Sequence, residues 1–226
     1  MTLFYEIING NLALEAGNSS QLMTAKMRTS ALQTQQLYSA NNLNGWETDS
    51  YRLQHCRFLG NQDTIYTGRE GARLLFTSCY IEGTTDFIFG PATVLFERCT
   101  IHSKRNSYIT AASTPENVAF GYVFKNCKLT AAPGVTKVYL GRPWRPYAST
   151  TFLNCEFGSH IRPEGWDNWR NEANEKTARY AEFGNTGEGA VTAGRVKWAK
   201  QLTPKEALRY TIENIFTDSS NWYPYK

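Results

Sequence analysis

Apolar positions recur along this chain in one frame. A bulky apolar residue is followed by two spacers, Cys, one spacer, an apolar residue, one spacer and a small residue. The five copies are Leu53-Gln-His-Cys56-Arg-Phe58-Leu-Gly60, Phe76-Thr-Ser-Cys79-Tyr-Ile81-Glu-Gly83, Phe96-Glu-Arg-Cys99-Thr-Ile101-His-Ser103, Phe124-Lys-Asn-Cys127-Lys-Leu129-Thr-Ala131 and Phe152-Leu-Asn-Cys155-Glu-Phe157-Gly-Ser159. Their cysteines stand 20 to 28 residues apart, a period that marks a solenoid in which each turn of chain stacks on the last. Between residues 50 and 160, short runs of β-formers such as Thr64-Ile65-Tyr66, Leu74-Leu75-Phe76, Phe87-Ile88-Phe89, Thr93-Val94-Leu95-Phe96 and Gly121-Tyr122-Val123-Phe124 are broken by Gly, Asn, Asp and Ser clusters. The apolar positions of the frame lie at i, i+3 and i+5, which cannot share one face of a flat strand. A bend or bulge is therefore expected between the first position and the Cys. The pattern predicts an all-β protein, a right-handed parallel β-helix whose interior is filled by stacked like side chains.

Two stretches leave the frame. Residues 1–49 read as irregular, with a helix-compatible region from Met23 to Leu37, and residues 161–226 are rich in Trp, Asn and Glu. Within the latter, Thr203-Pro204-Lys205-Glu206-Ala207-Leu208 reads as an N-capped short helix. The expected organisation is a single domain over 1–226: an irregular N-terminal part (1–49), regular coils (50–160), and a partly helical C-terminal cap with loops (161–226) covering the last rung.

Composition narrows the classes. The 226 residues suffice for one domain with a sizeable core. Charged residues at 19% and aromatics at 14% exclude a disordered composition. A net charge of +4 allows attraction to an anionic polymer, but the basic residues are dispersed, which argues against nucleic acid. The five cysteines lack metal-ligand spacing and read as small buried hydrophobes forming an internal ladder. No apolar run approaches the length of a membrane span, so no membrane partner is expected. The first residues lack the basic region and long apolar stretch of a signal peptide. This leaves two readings, an intracellular protein or a chain whose natural start lies upstream.

The frame also places polar residues. Asp63 stands seven residues after Cys56, and Asp86 seven after Cys79. Equal phase on stacked rungs puts the two carboxylates on neighbouring strands, about 5 Å apart in backbone spacing. Two carboxylates held close do not ionise together easily: one pKa rises and the other falls, and identical residue types then supply an acid and a base or nucleophile. The plainer alternative makes both of them turn residues that cap loop backbone. Gln62 can donate two amide hydrogens, as an oxyanion hole requires, and Phe87-Ile88-Phe89-Gly90 would shield Asp86 from water. In Leu140-Gly141-Arg142-Pro143-Trp144 the proline stiffens the turn and the glycine allows close backbone approach. Arg142 suits a bidentate pair with a carboxylate, or equally a structural salt bridge. Trp144, Trp166 and Trp169 are candidates for stacking on sugar rings, with core packing as the alternative.

Gln62-Asp63-Thr64, Gly83-Thr84-Thr85-Asp86-Phe87-Ile88-Phe89-Gly90 and Leu140-Gly141-Arg142-Pro143-Trp144 resemble, in order and spacing, the signature motifs of the pectin methylesterases. Tyr108-Ile109-Thr110-Ala111, Glu164-Gly165-Trp166, Asn185-Thr186-Gly187-Glu188-Gly189-Ala190 and Arg195-Val196-Lys197-Trp198 are similar too, so the resemblance runs from about residue 50 to the C-terminus. It implies a right-handed parallel β-helix and an ester hydrolase acting on methylated pectin (homogalacturonan). In that scheme Asp86 is the nucleophile, Asp63 the acid and then the base, Gln62 an oxyanion donor, and Arg142 the group holding Asp86 ionised. Phe89, Trp144, Thr85, Tyr147 and Trp166 are the implied substrate-binding residues. No metal or organic cofactor is implied, and a monomer is expected. Because the implied substrate lies outside cells, the implied location is secreted or periplasmic.

The chain also departs from the family pattern. A second oxyanion glutamine in a Gln-x-x-x-Leu stretch is expected one rung earlier, and Gln33-Thr-Gln-Gln-Leu37 fits it, although the following segment to Ser50 is longer than expected. Ala112 stands where many members carry Gln, a change expected to alter substrate contacts more than chemistry. Members normally begin with further capping segment and coils. Two other functions stay open at this point, a catalytically silent polyuronate-binding β-helix and a β-helix glycoside hydrolase using the same aspartates.

Overall fold

The structure, a computed structural model, describes residues 3–8, 12–13, 26–29, 50–68 and 70–216. Successive rungs contribute strands to three sheets, the last two reaching the first sheet without a strand in the third. The first sheet contains Ser50–Gln54, Arg73–Thr77, Thr93–Glu97, Tyr122–Lys125, Ser149–Leu153, Arg179–Phe183 and Lys200–Gln201. The second, which follows each cysteine, contains Arg57–Leu59, Tyr80–Gly83, Thr100–Ser103, Lys128–Ala131 and Glu156–Phe157. The third contains Leu12–Ala13, Ile65–Tyr66, Ile88–Gly90, Tyr108–Ala112 and Tyr139–Pro143. Rung pairs with rung in parallel throughout these three sets. This is the all-β parallel β-helix that the repeat predicts.

One residue makes the expected bend. The residue before each cysteine is left-handed: His55 (φ 55), Ser78 (φ 53), Arg98 (φ 53), Asn126 (φ 55) and Asn154 (φ 52). A single left-handed residue breaks strand parity, and the Phe and Cys positions, three apart, then both face inward. The corners do not interrupt the ladder, because their amides donate to the next rung, as in His55 N–H to Thr77 (3.0 Å) and Asn126 N–H to Leu153 (3.0 Å).

In-register pairing then stacks like on like. Phe76, Phe96, Phe124 and Phe152 are successive cross-strand partners, with ring centroids 4.9, 4.4 and 4.4 Å apart. All five are buried free cysteines. From Cys79 onward each thiol reaches a carbonyl of the preceding rung, on Leu53, Phe76, Phe96 and Phe124 in turn (Sγ to O 3.3–3.5 Å). The column ends on an amide. Asn185 Oδ1 accepts the Cys155 N–H (2.9 Å), and its Nδ2 donates to Phe152 (3.3 Å).

Both ends differ from expectation. The N-terminal part is not wholly irregular: Leu3–Ile8 and Leu12–Ala13 pair in parallel with Arg57–Leu59 and Ile65–Tyr66. Lys26–Thr29, inside the stretch read as helix-compatible, is a strand antiparallel to Leu3–Ile8. Hydrogen bonds to an open sheet edge outweigh the small helix propensity of four residues. At the other end Thr203 caps Pro204–Ala207 as expected, its Oγ1 accepting from Glu206 N–H (3.3 Å) and the Glu206 carboxylate accepting from Thr203 N–H (2.9 Å). However, Ile212–Phe216 packs its Ile215 and Phe216 on Leu75, Leu95, Val123 and Leu153, the outward face of the first sheet. That helix therefore lies along the side of the coil and not over its end.

The end itself is closed by polar chemistry. Arg195 and Glu182, with side chains 3% and 1% exposed, form a forked pair (Nε to Oε1 2.8 Å, Nη2 to Oε2 3.2 Å). The other Arg195 donors go to the carbonyls of Arg162, Pro163 and Gly189. Trp166 Nε1 donates to Glu182 (3.2 Å). A buried pair is tolerable when its polar atoms find partners in this way. Gly165 (φ 71) lies against it, and a Cβ there would fall 2.6 Å from Arg195 Cδ. The Glu164-Gly165-Trp166 and Arg195-to-Trp198 stretches thus meet in one structural closure.

Candidate active site

The site forms on the outward side of the third sheet. Side chains there alternate: Ile65, Ile88, Thr110 and Gly141 are cross-strand partners, the first three with buried side chains, whereas Tyr66, Phe89, Ala111 and Arg142 form the outward row. Asp63 and Asp86 each stand two residues before their strand's isoleucine, and Ile65 pairs with Ile88. The two aspartates therefore share one phase on adjacent rungs. The next places in that phase, two residues before Thr110 and Gly141, hold Tyr108 and Tyr139. Backbone bonds fix the row: Asp63 N–H donates to Thr85 (3.1 Å) and Asp86 N–H to Tyr108 (2.9 Å). Both aspartates are left-handed, φ 55 and 49, a conformation that Asp tolerates better than most residues.

The two carboxylates differ in partner. Asp86 is buried and receives a forked pair from Arg142, Nε to Oδ1 at 3.0 Å and Nη2 to Oδ2 at 2.6 Å. Arg142 is itself clasped between rings, its Cζ 3.9 Å from the Tyr108 centroid and 3.7 Å from that of Trp169. Asp63 is half-buried and takes a hydrogen bond from the Gln62 side chain. Burial pushes the Asp86 carboxyl up against the lowering pull of Arg142, with Asp167 adding to the rise. Burial, then the charge of Asp86, pushes Asp63 up. The sequence reading of one carboxyl rising and one falling thus gives way to two raised groups, because both are desolvated. What separates them among the described residues is the fork: Asp86 is hydrogen-bonded by the Arg142 guanidinium, whereas Asp63 feels that charge through space.

The remaining expected site residues fall into four groups. Phe89 and Trp144 lie together, half-buried, with centroids 6.0 Å apart, and Tyr66 packs on Phe89 at 5.0 Å. Thr85 hydrogen-bonds Ser107 through its hydroxyl (2.8 Å). Tyr147 turns toward Glu116 with its side chain, and its carbonyl accepts from Arg179 (2.7 Å). Trp166 departs from expectation. It is 1% exposed and stacks on Tyr180 at 4.4 Å inside the coil, so no sugar can reach it, while Trp169 is the tryptophan beside Arg142. The cause is local: Trp166 bridges Gly141 in the sheet and faces inward, and the Asp167 carboxylate accepts from Trp169 N–H (2.7 Å), turning the chain outward again. Ala112 is likewise buried and facing the core, so the missing glutamine there changes packing and not the outward surface. Gln33 lies outside the described residues. Sequence reasoning passed over Tyr66, although it follows Asp63 by the same interval as Phe89 follows Asp86. It also passed over Tyr108, the head of a run already noted. Among the described residues, no three His, Cys, Asp or Glu side chains are arranged to hold a metal ion.

Fold and site together define a parallel β-helix protein with a paired-aspartate centre, one carboxylate locked to an arginine. The family model described as Pectinesterase matches residues 21–219, and the chain belongs to that family. It is 38% identical over 178 residues to Pectinesterase 31 of Arabidopsis thaliana, covering 78% of this chain and 55% of the relative. It is 36% identical over 197 residues to a probable pectinesterase/pectinesterase inhibitor 64 from the same plant, covering 78% of this chain and 32% of the relative. Among solved structures it is similar to pectin methylesterase from carrot (TM-score 0.66, 34% identity, 71% of this chain and 54% of that one). Pectin methylesterase PemA from Erwinia chrysanthemi gives TM-score 0.66 at 29% identity, over 78% of this chain and 58% of that one. The chain thus spans about half or less of the length of the curated relatives named here.

Proposed function

We propose that this chain hydrolyses the methyl esters of pectin to pectate and methanol through an aspartyl acyl-enzyme. The observation that carries the reading is the asymmetric pair: Asp86 locked in the Arg142 fork, and Asp63 in the same phase on the adjacent rung, hydrogen-bonded by Gln62 and feeling Arg142 through space. Arg142 favours the ionised form of Asp86 and fixes its direction, as a nucleophile requires. An Asp86 oxygen attacks the ester carbonyl, and the developing oxyanion takes hydrogen bonds from the Gln62 amide. Asp63, raised by burial and by its neighbour's charge, carries the proton that leaves with methanol. Water then adds to the acyl-enzyme, Asp63 takes one of its protons, Asp86 leaves as carboxylate, and the galacturonic acid group so formed loses its proton to solvent, returning the pair to its starting state. The steps use side chains alone, with no cofactor.

Tyr66, Phe89 and Trp144 offer ring faces beside the pair, the kind of surface on which sugars stack. A pectin methylesterase similar to this chain (TM-score 0.65, 28% identity, over 78% of this chain and 58% of that one) has been solved in complex with a hexasaccharide, which supports a polymeric uronate as substrate. Action on such a polymer implies a secreted or periplasmic protein. The test is methanol release from methylated pectin by the wild type beside Asp86→Asn. The variant is expected to fold normally and release no methanol above background. Undiminished turnover would remove Asp86 from the nucleophile's place, and new reducing ends from the wild type would replace the esterase with a hydrolase.

A further inference from the structure

We infer that Tyr108 is a positioning residue that holds the Arg142 guanidinium on Asp86. Arg142 stands on Tyr139–Pro143, yet its partner lies at the head of Ile88–Gly90, with Tyr108–Ala112 between them. The side chain must cross the middle strand. Two features of that strand permit it. Ala111, the cross-strand partner of both Phe89 and Arg142, has no side chain beyond Cβ to block the path. Tyr108 holds the place in the aspartate phase next to Asp86, and its ring lies 3.9 Å from Arg142 Cζ.

Tyr108 meets both halves of the ion pair. Its carbonyl accepts the Asp86 N–H at 2.9 Å while its ring carries the guanidinium. The ring is backed in turn: Tyr139, its cross-strand partner, stacks on it at 5.2 Å and 11°, and Arg162 lies 4.7 Å from the Tyr139 ring, tied to Glu164 by two hydrogen bonds of 3.1 and 3.2 Å. A guanidinium over an aromatic face is held by the ring quadrupole and by flat contact, which limits its swing without using its N–H donors. Those donors stay free for the carboxylate. Trp169 covers the opposite face at 3.7 Å, but it comes from a separate loop, whereas Tyr108 is part of the sheet. A flat bed on a rigid strand therefore sets the height and tilt of the fork.

The test compares Tyr108→Phe, which keeps the ring, with Tyr108→Leu, which removes it; Tyr108→Met serves if the leucine variant does not fold. The kinetic arm rests on the esterase reading. There, Leu is expected to lower kcat about tenfold or more with KM little changed, and Phe to stay within about twofold of wild type. A second arm needs no turnover: the Asp86 carboxyl is titrated by carbon NMR. The groups bearing on that carboxyl are Arg142, Asp63, Asp167 and the Tyr180 hydroxyl beneath. Of those groups the ring contacts Arg142, so Leu should titrate at higher pH than wild type and Phe should not. An unmoved Asp86 titration in Tyr108→Leu, or a loss confined to KM, would overturn the inference and leave Tyr108 a sugar contact or a packing residue. A wild type that releases no methanol, with the titration shift still present, would sink the esterase reading and leave the positioning role standing.

Discussion

Asp63 and Asp86 share residue type, phase and left-handed backbone, so their division of labour comes from what each touches. This sets the pH dependence. In the proposed mechanism Asp86 works ionised, so activity is expected to fall as pH drops through its titration; the Arg142 fork keeps that limb lower than burial alone would. In the same proposed mechanism Asp63 carries the proton that leaves with methanol, so activity is also expected to fall as pH rises past its raised value. A bell-shaped dependence of kcat/KM is expected. Arg142→Lys, which loses the planar fork, should move the acid limb to higher pH and cut kcat about 10²-fold; an acid limb in its wild-type place would show that Arg142 does not govern Asp86. Gln62→Ala should lower kcat about 10²- to 10³-fold with KM largely kept if its amide meets the oxyanion, measurable by steady-state methanol release. The pair and the arginine were legible in the sequence because repeat phase places Asp63 and Asp86, and the Gly-Arg-Pro run flags Arg142, although that run is a strand and not the turn expected of it. Trp166 was misread because residue type does not say which way a side chain faces after a bridge to Gly141; only the Asp167 turn separates it from Trp169.

At the scale of the rung, the cysteine frame foretold three inward columns, and the structure adds how the chain turns between them. The corner residue is His, Ser, Arg, Asn and Asn in the five copies. Its identity therefore carried little signal, and only the broken parity of the apolar positions betrayed it. The thiols of the column bond to carbonyls of the rung before, in a space shaped for sulfur. Cys99→Ser should therefore lower stability by about 1–3 kcal/mol with turnover unchanged, since a more polar group is buried there; a wild-type melting temperature would contradict the packing role. Phe124→Ala opens the middle of the ring stack, where Phe124 meets Phe96 and Phe152 at 4.4 Å each. A loss of about 3–5 kcal/mol in denaturant unfolding is expected. The strand at Lys26–Thr29 was not legible, because four residues with no frame of their own follow whichever neighbour offers hydrogen bonds.

Over the whole molecule, stability should weaken on the acid side for a reason apart from catalysis. His160 is buried, with no hydrogen-bond partner for Nε2 among the described residues. Burial, helped by nearby His102, takes its pKa from 6.5 down to about 4. The unfolded chain binds a proton on this ring below its ordinary value, while the folded protein refuses it until the lower one. The His160 contribution is thus intact above pH 6.5 and drains away as pH falls toward 4. Melting curves across that window should fall for wild type and fall less steeply for His160→Leu; parallel curves would remove His160 as a cause.

The single-residue corner between the first and second sheets has a further consequence, for how such a chain can change over evolutionary time. From the bulky apolar position through the corner to the second-sheet apolar residue, the five copies have identical length. The repeat nonetheless varies from 20 to 28 residues between cysteines. All of that variation falls in the connections before and after the third sheet, the one that bears the aspartates. Insertions and deletions are thereby steered to the borders of the surface that bears the aspartates, while the stacked interior keeps its phase. The scaffold is closed to length change at its corners and open to it around its chemistry.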